Sequence, residues 1–374
     1  MNVNVLKPRQ DSSPRADAER RLTVVDCDIH PATKSASELF PYMAKRWQEH
    51  LATYGSHVRQ GLSEGLAHPR MSPDVARVDA WPEDGSTPGS DPEFMRKQHL
   101  DPNGVEYGIL IPLGRSGSHQ RNLDYGAALC SAVNDWQISK YCEFDKRIRG
   151  SITVTQEDVP VAVAEINKRA SEKRFVQVLL PPRSVEPLGR RRYWPIYEAA
   201  VANKLPIGLH LGGMGGHPST GSGMPSYYIE EHTSMVQTMQ ALIASMVIEG
   251  VFEQFPSLKV VLIEGGFAWE PALNWRLDKH WKRFKSEVPH LKRAPSEYVR
   301  EHFRFTTQPI EEPENPRDLR HIIDWVGAER LMFSTDYPHW DYDDPKVALN
   351  NAGLSEAEKK KIFGGNAKEF YGLQ

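Results

Sequence analysis

Several classes of protein are excluded by what this chain of 374 residues has little of. It contains three cysteines, Cys27, Cys130 and Cys142, which are too few and too scattered for a disulfide framework or a zinc knuckle. We therefore expect reduced thiols and a cytoplasmic location. A formal net charge of −3 gives no electrostatic basis for binding nucleic acid or an anionic membrane. No apolar run approaches the length of a membrane span.

The domain organisation is expected to be simple. Residues 1–20 are polar, with mixed charge and no apolar signal-peptide core, and are predicted to form a flexible tail. Residues 21–374 are predicted to form a single domain. Within it, residues 51–98 are rich in Gly, Pro, Asp and Ser and are interpreted as an insertion over one face. Residues 211–226 are glycine-rich and are predicted to form a mobile loop over the active site.

Eight short apolar runs alternate with amphipathic segments along the chain. The first run is Leu22–Cys27 and the last is Arg330–Ser334. Eight strand–helix units in a chain of this length predict an α/β fold, a distorted TIM (β/α)₈ barrel with loop insertions. A doubly wound sheet is the alternative. Such a sheet usually carries a glycine-rich phosphate motif after its first strand, and here the first strand meets Asp28 and His30 instead.

Four of these runs end in side chains that bind metal ions. Asp28 and His30 follow the first run, His210 the fifth, Glu264 the sixth and Asp336 the eighth. In a barrel, all strands open with their carboxyl ends on one face, and closure brings the eighth strand beside the first. We therefore expect these side chains to rim one pocket and to bind a divalent metal, Zn²⁺, Mn²⁺ or Fe²⁺. One ion is the simpler expectation, and a second stays open because Glu264 adds a carboxylate.

The order of several motifs resembles the amidohydrolase superfamily, in the amidohydrolase-related branch that includes aminocarboxymuconate-semialdehyde decarboxylase and γ-resorcylate decarboxylase. The motifs are Val-Asp-Cys-Asp-Ile-His-Pro at 25–31, Gly-Leu-His-Leu-Gly-Gly at 208–213, Phe-Pro-Ser-Leu-Lys-Val at 255–260, Ser-Thr-Asp-Tyr-Pro-His at 334–339 and Ile-Phe-Gly-Gly-Asn-Ala at 362–367. The resemblance implies a metal-dependent hydrolase or lyase. It also implies that Asp28, His30, His210 and Asp336 hold one metal.

The sequence departs from the family pattern at two strand ends. The first strand has Asp28 where the superfamily often has a histidine, an exchange that also occurs in the decarboxylases. The sixth strand ends in Glu264 where many members have a histidine that is a ligand or the catalytic acid/base. Glu264 is thus a candidate for either role, and a cap of the next helix is the structural alternative. Asp26 would share the side of Asp28 in a regular strand and is expected to be a structural or supporting carboxylate.

Further candidates lie in the loops that would surround the pocket. Asp336 is a candidate acid/base as well as a ligand. His217 and His232 are candidate catalytic residues, with a solvent-facing loop histidine as the alternative for each. The residues expected to contact substrate follow strands two, four and eight, and they are Arg115, His119, Arg183, His339 and Trp340. Arg115 and Arg183 would bind an anionic group of the substrate, unless they form surface salt bridges.

The predicted activity is hydrolysis or non-oxidative decarboxylation of a small carboxylated or cyclic substrate. One alternative is a non-haem di-iron monooxygenase, because carboxylate-rich sites that contain histidine hold two irons on helical bundles. A second alternative is a non-catalytic binding barrel. The expected partner is a small-molecule substrate, without nucleic acid or membrane. Because barrels of this branch tend to be dimers or tetramers, a homodimer or homotetramer is expected.

Overall fold

The computed structural model describes residues 22–55, 75–211, 220–223 and 225–374. Within them, eight parallel strands lie side by side in chain order. The strands are β1 Val24–Ile29, β2 Val105–Leu110, β3 Ile148–Thr153, β4 Phe175–Leu180, β5 Ile207–His210, β6 Val260–Ile263, β7 Phe303–Thr306 and β8 Leu331–Met332. This order confirms the predicted (β/α)₈ barrel, because an open doubly wound sheet would reverse its strand order.

Helices follow the strands and cover the outer surface of the sheet. The α-helices are α1 Lys45–Tyr54, α2 Pro92–Met95, α3 Leu123–Gln137, α4 Val159–Arg169, α5 Trp194–Ala202, α6 Tyr228–Ser234, α7 Val236–Ile248, α8 Val251–Gln254, α9 Glu270–Phe284, α10 Pro295–His302, α11 Pro316–Val326, α12 Glu356–Lys360 and α13 Asn366–Tyr371. In α11, the Asn315 side chain accepts from the Arg317 N–H, and the buried Leu319 and Ile323 lie on one face. None of the described helices is both long and apolar enough to cross a bilayer.

The strands are buried on both sides, which explains their nearly continuous apolar composition. One layer of the core lies between strands and helices and includes Ile152 and Leu262. A second layer fills the barrel interior with Val25, Ile109 and Ile263, and Phe370 of α13 packs against it. The interior is therefore a packed core, although a few buried polar side chains such as Ser151 and Gln177 lie within the strands and bond to each other.

The seam between β1 and β8 is closed around Asp26. Asp26 Oδ1 accepts from the Thr335 N–H at 2.9 Å, and Oδ2 accepts from the Thr335 hydroxyl at 2.5 Å. His99 Nε2 lies 2.8 Å from the same Oδ2 atom. Ile29 then forms an isolated parallel bridge to Tyr337. The Asp26 side chain thus adds to the backbone hydrogen bond from the Cys27 N–H to Phe333 O, and together they join the first strand to the last.

β1 is not a regular strand. Its register with β2 shifts between Asp26 and Ile29. In a regular strand, Asp26 and Asp28 would point to the same side. The shift separates them, so that Asp26 serves the seam while Asp28 faces the strand ends of β5 and β6.

The described part of the predicted insertion, from residue 75 onward, packs against the rim of the barrel. Ala76 pairs with His339, and the Arg77 N–H donates to Pro338 O at 2.9 Å. At Gly89, with φ of +78°, an added Cβ would lie 2.2 Å from His30 O, so only glycine fits there. The tail at 1–20, residues 56–74 of the insertion and residues 212–219 and 224 of the glycine-rich loop lie outside the described residues.

Candidate metal centre

The carboxyl ends of β1, β5 and β6 bring four metal-binding side chains together. Asp28, His30, His210 and Glu264 each offer an oxygen or nitrogen, and these atoms all lie within 4.8 Å of one another. His30 Nε2 is 3.1 Å from Asp28 Oδ1, and His210 Nε2 is 2.8 Å from Glu264 Oε2. The two imidazole rings meet edge to face with centroids 4.9 Å apart. Side chains from three separate strands therefore form one buried cluster.

Asp336 approaches this cluster from the end of β8. Its Oδ1 atom lies 2.6 Å from His30 Nε2 and 2.7 Å from His339 Nδ1. The His339 ring stacks on the His30 ring, with centroids 4.2 Å apart. The family resemblance implies Asp336 as the fourth ligand. In the structure, Glu264 belongs to the four-residue group, and Asp336 forms a group with His30 and His339 at its edge.

Two histidines of the cluster are oriented by backbone carbonyls. His30 Nδ1 lies 2.9 Å from Ile111 O, and His210 Nδ1 lies 2.5 Å from Leu211 O. A ring nitrogen that faces a carbonyl oxygen carries a proton, so Nε2 is the nitrogen that can offer its lone pair to a metal. Both Nε2 atoms face the carboxylates, so the rings are arranged as metal-binding histidines are.

The carboxylates at the ends of β6 and β8 share an uncommon backbone conformation. Glu264 has a φ of +57° and Asp336 a φ of +62°. For a residue other than glycine, this left-handed region costs about 1–2 kcal/mol, and such residues concentrate at functional sites. Glu264 does not cap the following helix, because the N–H groups of Phe267 and Ala268 donate to Glu311. The conformation is therefore associated with the cluster and not with a helix start.

The cluster carries more negative charge than its histidines neutralise. Burial alone would lower the pKa of His210, but Asp28 and Glu264 raise it to about 10. Burial, together with the charges of Glu264 and Asp341, raises the pKa of Asp336 well above its ordinary value. The protein alone therefore keeps protons at these groups. Side chains that retain protons in this way are expected at a site where a metal cation binds.

Asp28 provides the test of whether a metal fits. Its side chain is 0% exposed, and neither carboxylate oxygen has a hydrogen-bond partner. Its oxygens lie 3.1 Å from His30 Nε2 and 3.5 Å from His210 Nε2, the two nitrogens that would bind the same ion. A buried carboxylate that accepts no hydrogen bond is costly unless a cation compensates its charge. Two imidazoles with carboxylates suit Mn²⁺, Zn²⁺ or Fe²⁺, so these residues fit a single divalent metal ion.

A cavity of about 250 Å³ opens beside His210. Its walls are apolar at Leu113 and Leu179, and they also include His119 and Arg183. Burial and the charge of Arg183 lower the pKa of His119 to about 4, so His119 is neutral and Arg183 supplies the positive charge. A cavity with apolar walls and one cation suits a small anion with an apolar body.

Two of the predicted site residues are not placed at this cavity. Arg115 does not line it, and its Nη1 atom donates to the Thr33 hydroxyl at 2.6 Å. His217 lies outside the described residues. Arg115 does not belong to the described cluster, and the predicted roles of both residues stay predictions.

An aromatic wall stands on the α6 side of the cluster. Trp340 Nε1 donates to the Tyr228 hydroxyl at 2.9 Å. The His232 ring lies beside both, with centroids 5.7 Å from Tyr228 and 5.4 Å from Trp340. Burial raises the pKa of Tyr228 to about 12, with added effects from Asp341 and other carboxylates, so its hydroxyl stays protonated. The sequence predicts Trp340 and His232 near the site and does not distinguish Tyr228.

Sequence reasoning also missed two polar residues that lie behind Asp336. Gln308 Nε2 donates to Asp341 Oδ2 at 2.9 Å and lies 3.4 Å from Asp336 Oδ2. His232 Nε2 lies 3.2 Å from Asp341 Oδ2. Asp341 belongs to the run Asp341-Tyr-Asp-Asp, and nothing in the spacing distinguishes it from the other two aspartates. Gln308 follows β7 by two residues, and no other feature of the sequence distinguishes it.

The sequence profile of the family described as Amidohydrolase matches residues 25–373. A γ-resorcylate decarboxylase from Polaromonas sp. strain JS666 is 26% identical over 299 residues, which cover 76% of this chain and 88% of that protein. A 2-amino-3-carboxymuconate-6-semialdehyde decarboxylase from Dictyostelium discoideum is 26% identical over 292 residues, covering 76% of this chain and 77% of that protein. These relatives are the two decarboxylases that the motifs resemble.

Among solved structures, the fold is similar to that of 5-carboxyvanillate decarboxylase from Novosphingobium aromaticivorans DSM 12444, which was crystallised with manganese. The TM-score is 0.69 at 18% identity, and the match covers 95% of this chain and 97% of that chain. At this identity, the similarity supports the barrel fold. The profile match spans β1 to the last helix and contains the whole cluster. The chain belongs to the amidohydrolase family of metal-dependent enzymes.

Proposed function

We propose that the chain is a metal-dependent non-oxidative decarboxylase that acts on a small carboxylated aromatic compound. One observation carries the proposal: the buried Asp28 carboxylate, which accepts no hydrogen bond, lies next to His210, and His210 lines an apolar cavity that contains Arg183. This arrangement supports a metal site beside a compartment for an anionic ring. The names of the two decarboxylase relatives support the loss of CO₂ over hydrolysis.

The metal would be held by Asp28, His30 and His210, with Glu264 and Asp336 as the further carboxylates. A bound divalent ion supplies Lewis-acid chemistry, because it polarises a substrate oxygen and stabilises negative charge that develops nearby. The remaining requirements fall to the protein, which must orient the substrate, exclude water and deliver a proton.

Orientation and desolvation follow from the cavity. Arg183 would bind an anionic group of the substrate, since its guanidinium is the cation of the lining and His119 is neutral. Leu113 and Leu179 would pack against the ring and exclude water from it. Removing water from a carboxylate destabilises its charge and favours departure of neutral CO₂.

Proton delivery would use Asp336. When the carbon–carboxylate bond breaks, CO₂ leaves and the electron pair stays on the ring carbon, which then takes a proton. Asp336 is buried beside His30, and its Oδ1 atom lies 2.7 Å from His339 Nδ1. His339 is 17% exposed and would return a proton from solvent to Asp336. Glu264 and His232 remain candidates for the same task through their contacts around the cluster.

The relatives do not support the two alternative functions that the sequence left open. The relatives named above are lyases, which gives no support to a di-iron monooxygenase or to a non-catalytic binding barrel.

A cytoplasmic location and a homodimer or homotetramer form part of the proposal. The exposed Trp275 and Trp325 rings, with centroids 5.5 Å apart, offer an apolar surface that self-association would cover. Light scattering on the purified chain would give the number of subunits.

The test uses Mn²⁺-loaded protein and two candidate substrates, γ-resorcylate and 5-carboxyvanillate, with an aryl ester as a hydrolysis control. We expect CO₂ and the decarboxylated phenol in equal amounts from at least one acid. In D₂O, one deuterium should enter the ring at the carbon that lost the carboxylate. Asp28→Asn should abolish turnover, whereas Asp344→Asn, a carboxylate that accepts from the Lys346 N–H away from the cluster, should retain it. Ester hydrolysis without CO₂ release from any aromatic acid would overturn the proposal.

A further inference from the structure

We propose that the rim binds a second divalent cation at His232, Glu264 and Asp341, adjacent to the first ion and sharing Glu264 with it. The inference rests on the proposed function, because the first ion is the metal of that proposal. The sharing of Glu264 is the central observation. It belongs both to the group with Asp28, His30 and His210 and to the group with His232 and Asp341.

The second group is assembled from three separate parts of the chain. His232 comes from α6, Glu264 from the end of β6, and Asp341 from the segment after β8. One ligand atom from each lies within 4.8 Å of the others, and His232 Nε2 is 3.2 Å from Asp341 Oδ2. A carboxylate has two oxygens, so Glu264 can serve one ion with each. Bridging carboxylates of this kind hold metal pairs in other proteins.

Asp336 connects the two groups a second time. Its Oδ1 atom contacts His30 on the side of the first group. On the side of the second group, Gln308 Nε2 lies between Asp336 Oδ2 at 3.4 Å and Asp341 Oδ2 at 2.9 Å. Two carboxylates, Glu264 and Asp336, therefore lie between the candidate positions of the two ions.

Charge balance favours two ions over one. Asp28, Glu264, Asp336 and Asp341 converge in a volume where their side chains are between 0% and 11% exposed. When all of them are ionised, one divalent cation compensates half of their charge and two compensate all of it. Like charges at these separations repel strongly where water is excluded. A second cation removes that repulsion without the need for bound protons.

The buried side-chain amide of Gln308 independently indicates that a ligand of its oxygen atom is missing. Gln308 is 0% exposed, and its Nε2 atom faces both Asp336 and Asp341. Its Oε1 atom has no hydrogen-bond partner. Amide oxygens are ordinary ligands of hard cations. With one imidazole and several oxygens on offer, the second position suits Mn²⁺, Fe²⁺ or Zn²⁺ and disfavours Cu⁺.

The experiment measures metal content directly. Protein stripped with a chelator is dialysed against Mn²⁺, freed of excess metal, and analysed by inductively coupled plasma mass spectrometry and electron paramagnetic resonance. We expect about two Mn²⁺ per chain and the spectrum of an exchange-coupled pair. Asp341→Asn and His232→Ala should each lower the content to about one and abolish the coupling. Asp344→Asn, on the same segment as Asp341 but outside the cluster, should keep two.

Each other outcome has a distinct meaning. One ion in the wild-type chain that Asp28→Asn removes would overturn the second site and leave the proposed function intact. No bound ion in the wild-type chain would overturn both. Two ions that persist in Asp341→Asn and in His232→Ala would also overturn the assignment to these residues. Circular dichroism verifies the fold of each variant, and His232→Ala decides the matter if Asp341→Asn does not fold.

Discussion

The seam between β1 and β8 and the rim just beyond it each contain a buried aspartate of β1, and their surroundings are opposite. Asp26, in the seam, has both oxygens engaged by Thr335 and His99. Asp28, at the rim, is equally buried but has no hydrogen-bond partner for either oxygen. A structural carboxylate has its partners within the protein, whereas a metal-binding carboxylate leaves its oxygens for an ion.

The comparison shows that burial alone does not distinguish the two roles. Both side chains are 0% exposed, and both are aspartates on one strand. The difference arises from the register shift between Asp26 and Ile29, which turns one carboxylate toward the seam and the other toward His210. Substitutions at these paired positions can therefore separate loss of stability from loss of metal.

The largest effect is expected for Asp28→Asn. The amide keeps the shape of the side chain but lacks the charge that holds a divalent ion, so metal binding and turnover should both be lost. The loss of activity should exceed the roughly 10–100-fold reduction typical of residues that only support ligands. The free energy of unfolding of the metal-free protein should fall less than in Asp26→Asn, because Asp28 accepts no hydrogen bond there and contributes through its charge beside His210. Metal analysis and urea denaturation of the same samples check both statements.

Asp26→Asn should have the opposite profile. The amide leaves donors from Thr335 or His99 without an acceptor in the seam, and the variant should lose about 3 kcal/mol of unfolding free energy. Its folded fraction should still bind metal and turn over substrate. Urea denaturation with metal analysis is again the measurement. A variant that is fully stable but metal-free would reverse the roles that we assign to the two aspartates.

A smaller effect concerns pH and the metal-free protein. Asp28 and Glu264 outweigh burial and raise the pKa of His210 from its ordinary 6.5 to about 10. The folded state therefore binds a proton that the unfolded state releases between these values, so stability falls as pH rises. The stabilisation from His210 should be complete below pH 6.5 and lost as pH approaches about 10. Urea midpoints between pH 6 and 10 should show this decline in the metal-free chain and a weaker one in Asp28→Asn.

The smallest effect is expected for Thr335→Val. The substitution removes the hydroxyl that donates to Asp26 Oδ2 but keeps the backbone donor to Oδ1. One lost hydrogen bond in a buried site should cost about 1–2 kcal/mol of unfolding free energy. Metal content should equal that of the wild-type chain. A Thr335→Val chain as unstable as Asp26→Asn would show that the hydroxyl, and not the set of donors, holds the seam.

The sequence predicted the barrel because eight apolar runs alternate with amphipathic segments. It also predicted the positions of the metal-binding residues, because these residues follow the runs. Each predicted strand ended within a few residues of the observed end, and a closed barrel places all such ends on one face. Asp28, His30, His210, Glu264 and Asp336 could therefore be grouped before any coordinates. The roles within that group depend on distances, which periodicity does not give.

The remaining features depended on local geometry that has no pattern in the sequence. Regular alternation predicts that Asp26 and Asp28 share a side, and one register shift reverses that result. Asp341 and Gln308 lie in irregular segments, where neither helical nor strand spacing assigns a direction to a side chain. Tyr228 begins α6, and the hydrogen bond that its hydroxyl accepts from Trp340 joins two segments far apart in the sequence.

Anomalous diffraction from crystals of the Mn²⁺-loaded chain tests the central claim most directly. The account predicts a strong peak bonded to Asp28, His30 and His210, with no peak near the seam at Asp26. It also predicts that Asp28→Asn crystals lack this peak. Manganese bound elsewhere, with both Asp28 oxygens still free of any ion in the loaded protein, would contradict the assignment of this rim as the metal centre.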